Sequence, residues 1–136
     1  MLKQLSIYAE NKRGTMEVLT RILAENDINI LGSVTNDSAE YGIIRMVVTD
    51  AAKACDALKA AGYICRLTDV LGVEITDEVG NLNKLLKACD ESNVNIDYLY
   101  LSFNRETGKP IMVFHAEGPH EVELCLQAKG FSMSRA

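Results

Sequence analysis

The residues with the clearest chemical capacity lie in a short stretch, Asn11, Lys12, Arg13, Gly14, Thr15 and Met16, where a strand pattern gives way to a helical one. A helix starting just after such a turn points unpaired N–H groups and the positive end of its dipole back at it. A carboxylate can be held there without any cationic side chain. Gly14 permits close backbone approach or a positive φ. Asn11, three residues earlier, brings a short polar side chain that could meet an ammonium or a hydroxyl. Asn29, between Ile28 and Ile30 at the far end of the helix, could close the site from the next strand. The stretch recurs as Asp77, Gly80 and Asn95 at a constant spacing of 66 residues (80 − 14 and 95 − 29), with Leu85 standing where Leu19 stood. The plainer alternative is a strand-to-helix turn in which Asn or Asp satisfies its own backbone.

Other chemistry is sparse. His115 sits in a strand pattern and His120 at a helix start, neither with a cysteine at zinc or nucleophile spacing. Cys55, Cys65, Cys89 and Cys125 form no C-x-x-C pair and read as buried free thiols, which suits a reducing compartment. There is no phosphate loop, nucleophile elbow or recognisable acid pair, so neither a catalytic residue, a metal nor a cofactor is expected. A net charge of −5, with no basic run longer than Lys12-Arg13, argues against a nucleic-acid partner. No run of 18 apolar residues and no leader-like start is present, so the expectation is a soluble cytoplasmic protein without a membrane partner.

The elements that would position these residues follow from periodicity. Leu5, Ile7 and Ala9 alternate with Gln4, Ser6 and Tyr8, predicting a half-buried strand. Met16, Leu19, Ile22 and Leu23 share a helical face, with Thr15 as the expected N-cap. Strands are predicted over Ile28–Thr35 and Ile43–Val48 with a turn at Asn36-Asp37-Ser38 between them. A helix capped by Asp50 and stopped by Gly62 follows, then a strand over Tyr63–Leu67. The second copy repeats this order, with strands at Val70–Ile75, Ile96–Phe103, Ile111–Ala116 and Phe131–Ser134, and Gly118-Pro119 opening its last helix. The expected fold is α+β, two ferredoxin-like βαββαβ units spanning residues 1–69 and 70–136, each an antiparallel sheet with its helices on one face. On the open face Ser33 and Thr35 become Leu99 and Leu101, extended by Phe103, with Tyr98, Tyr100 and Phe114 on alternate positions. Such a row is expected to be buried by a contact outside its own unit, most simply in a homodimer, with a ligand groove lined by these aromatics as the alternative.

The strand, glycine turn, helix and "x-Asn-Ile" pattern resembles the ACT domain, a small-molecule-binding regulatory module found with many enzymes of amino-acid metabolism. Glu10-Asn11-Lys12-Arg13-Gly14-Thr15-Met16 with Ile28-Asn29-Ile30 is similar to the ligand loop and following strand of serine-sensing members. The usual proline before the glycine is Arg13 here and Val79 in the second copy, and Asn11 replaces the Asp of many members. The resemblance implies ligand contacts at Asn11, Arg13, Gly14, Thr15, Met16 and Asn29, repeated at Asp77, Gly80 and Asn95. It further implies a non-enzymatic sensor that binds a free amino acid between ACT units and signals to an enzyme or regulator of amino-acid metabolism. The alternative is an ACT scaffold, without ligand, that serves assembly. RNA-recognition domains, metal chaperones and acylphosphatases share the topology. The middle strands, however, lack basic residues beside their aromatics, the first loop lacks a cysteine pair, and Arg13 makes only a weak anion loop.

Overall fold

The structure, a computed structural model, describes residues 1–10, 12–36 and 41–134. The chain divides into two compact units, Lys3–Thr68 and Asp69–Ala136, the latter also holding Met1–Leu2. In the first unit, β1 (Leu2–Glu10) leads to α1 (Thr15–Glu25), β2 (Ile30–Asn36), β3 (Tyr41–Val48), α2 (Ala51–Ala60) and the start of β4 (Ile64–Glu74). Sheet order is β2-β3-β1-β4. Ile7 stands opposite Ile44 and Leu5 opposite Met46, so alternate residues of neighbouring strands share a face. That face packs on Leu19 and Leu23, four apart on α1, and on Leu58 of α2; all seven side chains are fully or almost fully buried. Asp50 caps α2, its Oδ1 accepting from the Lys53 N–H at 3.1 Å. Of the predicted turn between β2 and β3, Asp37 and Ser38 lie outside the described residues.

The second unit uses the rest of β4, then α3 (Asn81–Glu91), β5 (Tyr98–Phe103), β6 (Pro110–His115), α4 (Pro119–Ala128) and β7 (Ser132–Met133). Its strands run β5-β6-β4 with β7 antiparallel on β4, the order of the first unit repeated. Leu71, Val73, Met112 and Phe114 meet Leu85 and Cys89 of α3 and Val122 and Leu126 of α4. Pro119 occupies the first turn of α4 as predicted. Both sheets are antiparallel with helices on one face, so the α+β expectation stands.

Three expectations need correction. The strands predicted at Tyr63–Leu67 and Val70–Ile75 are a single strand, β4, because Thr68-Asp69 holds no glycine or proline to break an extended chain. β1 is buried on both faces: Gln4 is 0% exposed and Ser6 is also buried. Burial is tolerable because Gln4 Nε2 donates to Ser6 Oγ (3.2 Å), which lies 3.4 Å from Thr68 Oγ1. The row Leu99, Leu101 and Phe103 lies on the helix side rather than the open face, since Leu99 pairs with Phe114 and Leu101 with Met112. Phe114 therefore joins the core, while Tyr98 and Tyr100 take the opposite side. A strand apolar on both sides does not reveal which side its helices cover; the register decides it. Leu99 is half-buried against its own unit's core, whereas Leu101 and Phe103 remain exposed.

Gly72 is held in place by packing. A Cβ there would lie 2.5 Å from Leu2 Cδ1 and 3.3 Å from Ile111 Cγ2. Gly72→Val is expected to cost about 1–3 kcal/mol of overpacking, and Gly72→Ala less, because the tip of Leu2 can rotate away. Urea melts check this; an unchanged midpoint for the valine variant would contradict it.

Candidate functional site

The two glycine turns share one backbone design. Lys12 N–H donates to the Glu10 carbonyl (3.0 Å) and Glu78 N–H to that of Thr76 (2.9 Å). Thr15 N–H then reaches the Lys12 carbonyl (3.3 Å), as Asn81 N–H reaches that of Glu78 (3.2 Å). Gly14 follows at φ 90°, ψ −10° and Gly80 at φ 88°, ψ −6°, the left-handed region that L side chains resist. These glycines are the N-caps, so Thr15 is the first residue of α1 rather than its cap. Its hydroxyl instead donates to the Glu10 carbonyl at 3.0 Å, and Asn81 Nδ2 does the same to Thr76 at 2.8 Å. Each turn thus pins the strand end to the helix start. No side-chain hydrogen bond caps α1 or α3, which leaves the N–H groups of Met16 and Glu17 in α1, and of Leu82 and Asn83 in α3, to solvent or a ligand.

Electrostatics separate the turns. Lys12 and Arg13 flank Gly14, both exposed, with Lys12 Nζ 3.3 Å from Glu10 Oε2. Asp77 and Glu78 flank Gly80 instead, also exposed. The charge next to the first turn is therefore more positive than that next to the second, which makes the first the less repulsive of the two for an anion. Met16 and Leu82, at matching positions, are 40% and 37% exposed and extend an apolar rim beside each turn.

The predicted residues are only partly brought together. Arg13, Gly14, Thr15 and Met16 are contiguous at the start of α1; Asn11 lies outside the described residues. Asn29 sits beyond the other end of α1. With eleven residues rising 1.5 Å each, the helix separates them by roughly 16 Å. Asn29 also precedes β2 instead of lying in it. Its N–H donates to Thr49 Oγ1 (3.1 Å) and its carbonyl accepts from Thr49 N–H (3.1 Å). One small molecule does not span both the turn and Asn29 of a single unit. Asn95 is likewise remote from Gly80, in a depression of about 540 Å³ shared with Asp97, Glu117 and Glu121. Asp97 there meets His115 Nδ1 at 2.6 Å, and His115 stacks on Tyr98.

A smaller hollow of about 190 Å³ adjoins the second turn, lined by Glu74, Thr76, Asn81, Lys84 and Ser132. None of these residues was singled out from the sequence. The constant spacing could have found Asn81 and Thr76, which occupy the places of Thr15 and Glu10. Among the described residues no group of three or more His, Cys, Asp or Glu could hold a metal, and no helix is long and apolar enough to cross a membrane.

Two βαββαβ units with a left-handed glycine at each first strand-to-helix turn define a duplicated ferredoxin-like protein. The family model described as an ACT domain pair matches residues 1–131, and the chain belongs to that family. Among solved structures, the chain is similar to a protein from Bacteroides thetaiotaomicron at 31% identity and a TM-score of 0.89, covering 98% of this chain and 91% of that one. Two further structures share the fold. One is the regulatory subunit of aspartate kinase from Thermus thermophilus, in ligand-free form (16% identity, TM-score 0.67, 93% and 90% covered). The other is its counterpart from Thermus flavus (22%, 0.65, 93% and 88%). No curated protein matched the sequence.

Proposed function

We propose that this ACT domain pair is a non-catalytic sensor whose two domains, residues 1–69 and 70–136, bind a free amino acid and report it to a partner protein. The observation that carries this is the first glycine turn: an uncapped helix start, a left-handed glycine with open space above it, and two neighbouring cations. The ligand carboxylate would take N–H groups around Gly14 and Met16, helped by Lys12 and Arg13. Asn11 would meet the ammonium or a polar side chain. Asn29, or Asn95 from the second domain, would complete the site across a junction between domains or chains. The second turn, with Asp77 beside Gly80, would bind a carboxylate poorly. The partner proposed is an enzyme or regulator of amino-acid metabolism, the sensor acts in the cytoplasm, and it works as a homodimer.

A thermal-shift screen against the common amino acids tests the reading. A ligand at 100 times its dissociation constant should stabilise the fold by about 2.7 kcal/mol, a rise of several degrees. Asn11→Ala should weaken binding about ten- to a hundredfold through loss of a charge-assisted hydrogen bond. A screen in which no amino acid shifts the melt leaves the assembly scaffold as the better account.

A further inference from the structure

The four cysteines fall two to each unit, Cys55 and Cys65 in the first and Cys89 and Cys125 in the second. Chain geometry sets the first two level. Cys55 lies five residues before the end of α2 (60 − 55), about 7.5 Å down the helix. The chain reverses through Ala61, Gly62 and Tyr63, whose N–H donates to the Leu58 carbonyl (3.0 Å). Cys65 lies two residues beyond that point (65 − 63), about 6.6 Å back along the strand. Cys55 Sγ donates to the Cys65 carbonyl at 3.7 Å, and a side-chain hydrogen bond joins the two thiols. Both sit in the core, 4% and 2% exposed.

The fold does not need this pair. Counted from the caps of α2 and α4, Asp50 and Gly118, the second unit has Glu123 at the place of Cys55 (55 − 50 and 123 − 118). Met133 takes the place of Cys65 (65 − 50 and 133 − 118). The second unit's own cysteines are arranged differently, since Cys125 Sγ donates to Ser92 Oγ (3.2 Å) rather than to Cys89.

We propose that Cys55 and Cys65 form a reversible oxidation site, closing a disulfide that ties α2 to β4 when small-molecule disulfides accumulate around the protein. One protein thiolate attacks a sulfur of a small disulfide such as oxidised glutathione and expels one glutathione thiolate. The second protein thiolate attacks the protein sulfur of that mixed disulfide and expels the other. Two protein thiols are oxidised, the small disulfide is reduced to two thiols, and the protein's two protons end on them. Sulfurs already in hydrogen-bond contact meet by side-chain rotation, with both elements in place. Burial governs the rate. The thiolate is the reactive form, and burial above all keeps the Cys65 thiol protonated in the fold. Exchange therefore waits for local opening of α2, and the closed disulfide is shielded from reductants in turn. The pair is a latch that outlasts a brief oxidising episode; in a reducing compartment its resting state is the free dithiol. It is independent of the amino-acid reading.

Oxidised glutathione and the full chain, with no amino acid, test it. In urea below the unfolding midpoint, the monomer is expected to become lighter by two hydrogen atoms and to lose two of its four free thiols. Trypsin cleaves after Lys53, Lys59 and Arg66, so the peptides 54–59 and 60–66 should run joined until reduced. Without urea the same product should form more slowly. Closing the loop from Cys55 to Cys65 restricts the unfolded chain, so the thermal midpoint should rise by several degrees and fall back with dithiothreitol. A protein carrying Cys89→Ala and Cys125→Ala should behave as the parent does; the peptide map of the parent decides the matter even if that variant fails to fold. Glutathione adducts without a cross-link, a cross-link through Cys89 or Cys125 instead, or a lowered midpoint would overturn the proposal. None of these bears on whether the glycine turn binds an amino acid.

Discussion

Gly14→Val is expected to abolish amino-acid binding and to lower stability by about 1–3 kcal/mol. Two separate effects converge. At φ 90° a β-branched residue sits in a backbone region it strongly disfavours, so the turn must open or carry the strain. Among the described residues nothing beyond the adjoining Arg13 and Thr15 lies within 4 Å of the place a Cβ would take, so the added side chain would fill the space a ligand needs to approach the helix start. Gly80→Val isolates the first effect. It meets the same φ and the same empty space, yet stands beside Asp77 and Glu78, where a carboxylate is repelled. Similar losses in the thermal melts of both variants are therefore expected, with loss of calorimetric heat in the first alone. A Gly14→Val protein that binds as tightly as the parent would move the site elsewhere; loss of binding in both would give the second turn a working share.

Much of this architecture was legible because the chain carries its own internal comparison. The 66-residue spacing separated two units, and Gly14 and Gly80 marked turns whose positive φ the structure reproduces in both copies. Hydroxyl and amide chemistry was read less well. Thr15 matches the composition of an N-cap, yet its hydroxyl bonds backward to Glu10, and only its pairing with Asn81 shows that the role is a strand-to-helix tie. Asn29 recurs as Asn95, but recurrence carries no distance, and both asparagines lie at the far ends of their helices. The polar face of β1 read as solvent-exposed because Gln4 and Ser6 are polar, whereas burial follows what covers a residue. Leu99, Leu101 and Phe103 were correctly marked as unusual but set on the wrong side, since the side depends on the register with β6. That register comes from pairing distant in sequence, which local periodicity does not encode.

Above pH 9 the protein is expected to lose stability because Cys65 cannot ionise where it sits. The thiol is buried in the core of the first unit, beside Cys55, whose Sγ lies 3.7 Å from the Cys65 carbonyl. Burial pushes the Cys65 thiol up from 9.0 to about 12; the hydrogen bond and charge of Cys55 add to this, and the Lys59 ammonium opposes it. The folded state thus holds the proton more tightly than the unfolded chain. Its contribution is fully present below pH 9.0 and is lost as the pH climbs toward 12. On the order of 1 kcal/mol should be gone by pH 10. Cys89, raised by burial and then by its neighbour Cys125, acts in the same sense. Urea midpoints at pH 7, 9 and 10 measure the loss. Lysine and tyrosine titrate in the same range, so the comparison is with Cys65→Ala, which is less stable throughout but should fall less steeply above pH 9. At pH 8 a small alkylating reagent should modify Cys65 only as fast as the protein opens. Parallel declines in parent and variant, or rapid alkylation of the folded protein, would show that this thiol ionises in the fold as it does in water.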